Sequence, residues 1–363
     1  MRIRRVGVLP ARCFERSLPA ICAGAFLLAA SPVLAQTAPA VSLGAGLQTS
    51  FAATTPKGGD TTASFVVNSA RLYVSGPVTK QITFMFNTEY NGATSNIGVI
   101  DAVARISTSA KMNIWFGRFL PPSDRANLYG PYYSHHWAVY TDSVQDGYPF
   151  IFQGRANGAM YWGQFGKVKL SGGAFDGASL QTLATPDDTV LVAGRAQVDF
   201  WDAEDGYYLN GTYYGDKNLL AIGVAGQQQG SDKSAFNVDF LLERKVSGGG
   251  AYTVEAEWVK YDLLSNYTVR YSDHDGGYVL GAFLFPQMAG PGRFEVLGKW
   301  AEARFRSGLT ILDPDYNQKT TEIDLNYVIK QFNARVMIFY KDTRYDAVKT
   351  NDQQIGVGMQ LQM

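Results

Sequence analysis

Apolar and polar residues alternate one by one along most of this chain, which is the pattern of β-strands whose two faces meet different surroundings. The clearest run is 354–363, where glutamine and glycine alternate with isoleucine, valine, methionine and leucine. The runs 236–243, 254–258 and 322–327 repeat the alternation with acidic residues on the polar face. Because a soluble β-sandwich shows the same alternation, the pattern alone predicts two-faced strands and nothing more specific.

The number and length of the alternating segments narrow the fold. Most have roughly the 9–11 residues that a tilted strand needs to cross a membrane. Seventeen candidate segments occur, at 41–50, 65–76, 80–90, 97–108, 111–119, 155–164, 167–175, 190–201, 207–214, 218–227, 235–245, 251–261, 277–285, 293–304, 320–330, 332–342 and 353–363.

Loop lengths identify one segment as surplus. Bacterial single-chain barrels have an even number of strands, short periplasmic turns and long external loops. When the strands are counted from the N-terminus, the long links fall on the external side, and the same holds when they are counted from the C-terminus. Between residues 200 and 250, however, the two counts assign the links to opposite sides of the membrane. They agree once 207–214 is assigned to a periplasmic connection. We therefore predict an all-β fold, a 16-stranded antiparallel transmembrane β-barrel.

The first 35 residues have the features of an export signal. Arginines at 2, 4, 5 and 12 precede a short apolar stretch, and Val33-Leu34-Ala35 precedes Gln36 as a small-residue cleavage site. The sequence thus predicts a cleaved signal peptide over 1–35 and a barrel over 36–363. It also predicts export through the periplasm to the outer membrane of a Gram-negative bacterium, with membrane lipid as a partner.

Composition excludes several classes of function. Both cysteines, Cys13 and Cys22, lie in the predicted signal, so the mature chain has no thiol for a disulfide, a metal site or a nucleophile. Removing the signal leaves 27 basic and 31 acidic residues, a net charge of −4, which does not suggest nucleic acid as a partner. No stretch approaches the roughly 18 apolar residues of a transmembrane helix.

The link 120–154 is unusually long, and its Tyr, Trp, Pro and His residues argue against disorder. Loops of this length are usually functional, and we expect this one, which follows the fifth strand, to fold into the channel as a constriction loop. Asp124 and Arg125 are its candidate constriction residues, together with Arg118 if the strand end turns that side chain inward. The aromatic residues of the loop are expected to pack it against the wall: Tyr129, Tyr132, Tyr133 and Trp137.

The alternation also assigns side chains to the lumen, since a barrel of this size leaves an aqueous channel. The predicted basic lining residues are Arg71, Arg105, Arg155, Lys167, Lys169, Arg195 and Arg335. The predicted acidic ones are Asp239, Glu255, Glu257, Glu295, Glu322 and Asp324. One hypothesis is a basic arc facing an acidic arc, which would create a transverse field across the pore. The alternative is a solvated face that carries both signs at random.

Short motifs resemble those of outer-membrane porins of the phosphate-selective O/P type. They are Gly117-Arg118-Phe119-Leu120-Pro121 before the long loop, and the run Asp239 to Tyr261, in which two strands flank the Gly-rich turn Val246 to Gly250. The general layout matches over nearly the whole mature chain. The resemblance implies sixteen strands and a homotrimer.

Three functions remain open. The first is passive diffusion of small hydrophilic solutes or ions, and the second is a solute-specific channel, of an anion or phosphate type, with the same fold. The third is a secreted soluble β-protein that binds glycans. An enzyme is not expected, because histidines occur only in loops and no nucleophile, zinc or phosphate-loop motif appears. His135 and His136 are adjacent, so their side chains point apart in an extended chain, and we expect no metal or other cofactor.

Overall fold

The computed structural model describes residues 40–93, 95–137, 154–177, 190–262, 271–308, 314–346 and 350–363. The predicted signal 1–35 and residues 138–153 of the predicted constriction loop lie outside them. The strands are β1 Ser42–Pro56, β2 Thr62–Pro77, β3 Ile82–Asn91, β4 Asn96–Ser109, β5 Met112–Phe119, β6 Ala156–Phe165, β7 Val168–Phe175, β8 Leu191–Asp199, β9 Leu219–Gln229, β10 Lys233–Val246, β11 Gly250–Asp262, β12 Tyr271–Ala289, β13 Gly292–Gly308, β14 Tyr316–Lys330, β15 Ala334–Tyr345 and β16 Asp352–Gln362.

Each strand pairs antiparallel with its neighbours in the chain, and β1 pairs with β16. The sheet is therefore closed and has no free edge. The prediction of sixteen antiparallel strands is confirmed. Residues 207–214 form no strand, as the parity of the loops required.

The barrel is apolar outside and polar inside. On β11, Val254 and Trp258 are exposed on the outer face, whereas Glu255 and Glu257 are buried on the inner face. Outward Ile323 and Leu325 of β14 repeat this arrangement beside inward acids. An outer surface of this kind needs an apolar solvent, and only closed barrels and helices satisfy the backbone hydrogen bonds there.

Several strands extend beyond their predicted ends. β1 continues to Pro56, and β2 starts at Thr62, so the predicted link 51–64 shrinks to 57–61. β12 and β14 likewise start earlier than predicted, at Tyr271 and Tyr316. Backbone pairing continues here, while the apolar/polar alternation of the sequence fades because outward residues such as Asn317 and Lys319 are polar.

The two ends of the barrel differ. The chain termini lie at the same end as two-residue turns such as 110–111, 166–167 and 290–291. In bacterial outer-membrane barrels the short turns lie on the periplasmic side, which is the orientation that the sequence predicted for this end. The connection from β8 to β9, residues 200–218, belongs to the same end but is much longer.

Two short helical turns follow β5. Helix α1, Arg125–Tyr129, is capped by Asp124, whose carboxylate accepts a hydrogen bond from the Asn127 backbone N–H at 2.7 Å. A single 3-10 turn, Pro131–Tyr133, comes next. Among the described residues, no helix combines the length and the apolarity that crossing a membrane requires.

Candidate functional site

The described part of the predicted constriction loop, residues 120–137, lies inside the barrel and is called the constriction loop below. It leaves β5 and crosses to other parts of the wall, where the Tyr132 hydroxyl contacts Ser69 of β2 at 3.1 Å. Trp137 stacks on Phe339 of β15, with ring centroids 6.0 Å apart. Glycine makes both contacts possible, because a Cβ at Gly46 or Gly358 would lie 2.6 Å from the Tyr132 or Trp137 ring.

Four acidic side chains of β10, β11 and β13 hold this loop. Each contacts a different loop residue: Asp239 the Arg125 Nε at 3.7 Å, Glu257 the Ala126 N–H at 3.4 Å, Glu255 the Tyr129 hydroxyl at 3.0 Å, and Glu295 the His135 Nε2 at 2.8 Å. All four carboxylates are buried. The acids assigned to the lumen from the alternation therefore face inward, but this set is covered by the loop.

A second segment enters the barrel from the other end. Residues 200–218, called the inner segment below, contact the constriction loop through backbone and side chains. The Leu209 N–H donates to the Leu128 carbonyl at 3.3 Å, and the Gly211 N–H donates to the Tyr133 carbonyl at 2.9 Å. The Tyr207 hydroxyl donates to the Leu120 carbonyl at 2.8 Å. The two segments thus join inside the lumen.

An ion pair reinforces this junction. Arg125 donates to both carboxylate oxygens of Glu204, Nη1 to Oε1 at 2.8 Å and Nη2 to Oε2 at 2.5 Å. Both side chains are fully buried. Burial alone raises the pKa of Glu204, but the charge and hydrogen bonds of Arg125 outweigh it and lower the pKa to about 2. Glu204 is therefore charged throughout the physiological pH range.

A wall residue also binds the C-terminal half of the inner segment. Both oxygens of Glu243 on β10 accept hydrogen bonds there: Oε2 from the Thr212 hydroxyl and the Tyr213 N–H, and Oε1 from the Gly215 N–H, each at 2.8 Å. A buried carboxylate that accepts several hydrogen bonds is stable in its charged form. The inner segment is thus tied to the barrel as well as to the constriction loop.

A charged pair crosses one strand of the wall. Arg195 of β8 donates two hydrogen bonds to Asp239 of β10, although β9 lies between them. Gly223 of β9 leaves the space, since a Cβ there would lie 2.1 Å from an Arg195 nitrogen. A residue from the predicted basic set and one from the predicted acidic set are therefore direct partners here.

The inner face of β2, β3 and β4 borders a cavity of about 400 Å³. The constriction loop and the inner segment form its opposite wall through Leu128, Tyr129, Gly130, Tyr133, Tyr208, Leu209 and Asn210. A second pocket, between β7, β8, the constriction loop and the inner segment, measures only about 10 Å³, roughly the space of one water. Of these two spaces between described residues, the larger therefore lies beside β2 to β4.

Three arginines predicted to line the lumen border this cavity: Arg71, Arg105 and Arg155. Arg71 pairs with Glu89 at 2.8 Å, and Arg155 pairs with Asp101 at 3.0 Å. Arg105 differs, because within the described part of the chain no carboxylate lies within 4 Å of its guanidinium. It lies over the Trp115 ring, 5.7 Å from the centroid.

Two residues from the predicted set lie elsewhere. Lys167 occupies the exposed turn between β6 and β7, where its Nζ donates to the Phe200 carbonyl at 2.9 Å, so it does not face the lumen. The strand starts one residue later than predicted. Arg118 belongs to β5 rather than to the constriction loop, and it pairs in register with exposed Ala102 and Asn157 on the outer face. Its Nε donates to the Val99 carbonyl at 3.1 Å.

The remaining predicted residues face inward. Lys169 borders the small pocket with Arg195, and Arg335 donates to the Ser134 carbonyl at 2.7 Å, which anchors the loop. Glu322 and Asp324 are buried on β14, where Glu322 lies 3.3 Å from the Lys341 ammonium. Glu204 was not among the predicted lining residues, because residues 207–214 beside it were assigned to a periplasmic connection and no lumen-facing side chain was expected there. The sequence feature that could have identified this segment is a Tyr-rich connection that is far longer than a turn between two strands requires.

The adjacent histidines take different partners. His135 contacts Glu295, whereas His136 lies near the Lys299 ammonium at 3.3 Å. Burial lowers the pKa of His135, but Glu295 more than compensates, so the pKa lies above its usual value. Among the described residues, no group of three or more His, Cys, Asp or Glu side chains is arranged to hold a metal ion.

Solved structures share this architecture. An anion-selective porin from Comamonas acidovorans is 15% identical and matches over 90% of this chain and 100% of its own, with a TM-score of 0.58. Salmonella typhi OmpF, in complex with daunomycin, is 13% identical over 89% of this chain and 97% of its own, with a TM-score of 0.59. Pseudomonas putida OprB is 8% identical over 89% and 94%, with a TM-score of 0.63.

No protein-family model and no curated protein matches the sequence. At such low identities the structural likeness establishes the fold and nothing narrower. This chain therefore has the closed sixteen-stranded fold shared by outer-membrane porins.

Proposed function

We propose that this chain is an outer-membrane porin, through which small hydrophilic solutes and ions diffuse passively. The observation that carries the proposal is the inside-out barrel, whose outer face is apolar and whose charged inner face borders a 400 Å³ cavity. An apolar outer face argues against a secreted soluble glycan-binding protein. The export signal 1–35, contact with outer-membrane lipid and a homotrimeric assembly belong to the same proposal.

The narrowest passage, in this proposal, is the cavity beside β2, β3 and β4. Arg71, Arg105 and Arg155 line it. The two loop residues predicted to form the constriction lie behind its wall and do not border the cavity. Asp124 and Arg125 are fully buried in the junction, where they position the loop rather than touch solute. Burial and the nearby Asp239 raise the pKa of Asp124 to about 7.

The passage is expected to prefer anions. Four of the acids in the predicted lining are covered by the constriction loop, whereas one arginine of the cavity lacks an acidic partner among the described residues. Rings of basic groups select anions in pores. A phosphate-type specificity, which the resemblance to the O/P porins implies, is not favoured, because Arg71 and Arg155 are each paired with an acid. The anion-selective porin from Comamonas acidovorans shares the fold.

Planar-bilayer recording of the purified protein tests the proposal. We expect discrete conductance steps in KCl and a reversal potential of anion sign in a salt gradient. Arg105→Gln should shift that potential toward zero, whereas Arg304→Gln, an exposed outer-face control paired with Asp275, should leave it unchanged. A protein that stays soluble without detergent, shows no heat-modifiable gel mobility and gives no steps would contradict the proposal.

A further inference from the structure

We propose that the cavity beside β2, β3 and β4 binds small organic anions that combine one carboxylate with an aromatic or apolar body, such as benzoate. This inference rests on the proposed porin function and names the class of solute that the passage favours. It follows from the arrangement of an arginine that has no ion-pair partner among the described residues and an apolar wall around the same space.

The cation is Arg105 on the inner face of β4. Its Nη1 lies 3.9 Å from the Met85 sulfur, and its guanidinium lies over the Trp115 ring. Neither neighbour carries a negative charge, and no acid of the described ranges lies within 4 Å. A guanidinium in such surroundings is a strong donor to a carboxylate, because its planar fork matches the two oxygens.

The other two arginines of the cavity are already neutralised. Glu89 accepts from Arg71, and Asp101 accepts from Arg155. The cavity therefore offers one free positive charge rather than a cluster of three. A single charge matches a monocarboxylate better than a multiply charged anion, which would bring excess negative charge beside Glu89 and Asp101.

The opposite wall supplies the apolar surface. Leu128, Tyr129 and Tyr133 come from the constriction loop, and Tyr208 and Leu209 come from the inner segment. Contact between these side chains and the ring of a bound anion removes apolar surface from water, which stabilises the complex. A hydrated inorganic anion such as phosphate must lose water beside the same side chains, and they offer it no hydrogen bonds from apolar atoms in return. In this proposal the side chains of the constriction loop and of the inner segment therefore determine which anions enter favourably.

The dimensions fit a small molecule. A volume of about 400 Å³ lies within the roughly 300–1,000 Å³ range of small-molecule sites, which combine mostly apolar walls with a few polar groups. Asn87, Asn210 and Ser75 also border the space and can donate hydrogen bonds to polar substituents.

Current block in planar bilayers tests this inference. Chloride current is recorded while benzoate, cyclohexanecarboxylate, acetate, phosphate or benzamide is added. We expect benzoate and cyclohexanecarboxylate to half-block the current at concentrations at least tenfold below those of acetate and phosphate. Benzamide, which has the ring without the charge, should not block.

Two variants separate charge from surface. Arg105→Gln should raise the half-blocking benzoate concentration at least tenfold, and Tyr208→Ala should remove the advantage of benzoate over acetate. Tyr252→Ala, which removes an exposed ring from the outer face of β11, is the matched control and should change neither value. Heat-modifiable gel mobility confirms that each variant is folded.

The outcomes distinguish the two proposals. Absence of chloride steps in the wild-type protein refutes the porin function itself. Normal steps with equal block by all anions, or with phosphate as the strongest blocker, overturn only the inference about amphiphilic carboxylates. An unchanged preference for benzoate in Tyr208→Ala overturns the assigned apolar wall.

Discussion

Arg125 of the constriction loop and Glu204 of the inner segment form a fully buried two-point ion pair, which joins a segment from each end of the barrel. Arg125 also lies 3.7 Å from Asp239 and donates to the Asn210 carbonyl at 3.1 Å. One guanidinium therefore ties together the loop, the inner segment and the wall. The passage keeps its shape because this junction is held from three sides.

Removing one partner of this pair should be costly. Glu204→Gln leaves the Arg125 charge buried with Asp239 as its nearest acid, and breaking such a pair typically costs about 3–5 kcal/mol. Urea unfolding in lipid vesicles measures the loss. The surface variant Glu302→Gln, whose partner Lys319 is exposed, should cost under about 1 kcal/mol. The double variant Arg125→Met/Glu204→Met should lose less stability than the single variants Arg125→Met and Glu204→Met lose together, and strict additivity would contradict the pairing.

The anchor between His135 and Glu295 should weaken at high pH. Because its folded pKa is raised, protonated His135 contributes fully below about 6.5, its unfolded value, and this contribution disappears as pH rises through the folded pKa. Single-channel current noise should therefore increase above neutral pH. His135→Gln should abolish this dependence, whereas His274→Gln, on β12, should retain it. The Arg125–Glu204 pair has the opposite pH dependence, because its contribution to stability is lost only as pH falls toward 2, where Glu204 becomes protonated.

Gly358 should be intolerant of any side chain. A Cβ would lie 2.6 Å from the Trp137 indole, so Gly358→Ala must displace the end of the constriction loop. We expect a lower unfolding temperature by heat-modifiable gel mobility and an altered channel conductance. Gly298→Ala on the outer face of β13, where a Cβ meets nothing within 4 Å, is the matched control. Equal behaviour of the two variants would show that Trp137 does not pack on this glycine.

The strands and their faces were predictable from the sequence because membrane and lumen impose opposite chemistry on alternate residues. The pairs Val254/Glu255 and Ile323/Glu322 show this directly, with apolar members exposed and acidic members buried. Parity of the loops removed 207–214 from the strand count. The alternation gave wrong assignments where a residue does not lie between membrane and lumen. Lys167 lies in a turn, and the polar ends of β1 and β2 extend into the link predicted between them.

The contents of the lumen were not predictable in the same way. Alternation shows that Asp239 and Glu255 face inward, but it carries no information about what covers them. The pair Arg195–Asp239 depends on space above Gly223 of the intervening strand, and Arg125–Glu204 joins residues from loops at opposite ends. These contacts arise from closure of the barrel, which brings distant segments together without any sequence periodicity.

The central claim is that solutes cross beside β2, β3 and β4, along the wall formed by the inner segment. Substituted-cysteine accessibility tests it directly, because the only native cysteines lie in the predicted export signal. Asn210→Cys places a thiol at the cavity, and Asn237→Cys places one on the fully buried inner face of β10, away from it. A negatively charged methanethiosulfonate reagent should reduce the conductance of Asn210→Cys, reversibly by dithiothreitol, and should leave Asn237→Cys and the wild-type protein unchanged. Block of Asn237→Cys with no effect on Asn210→Cys would contradict the account.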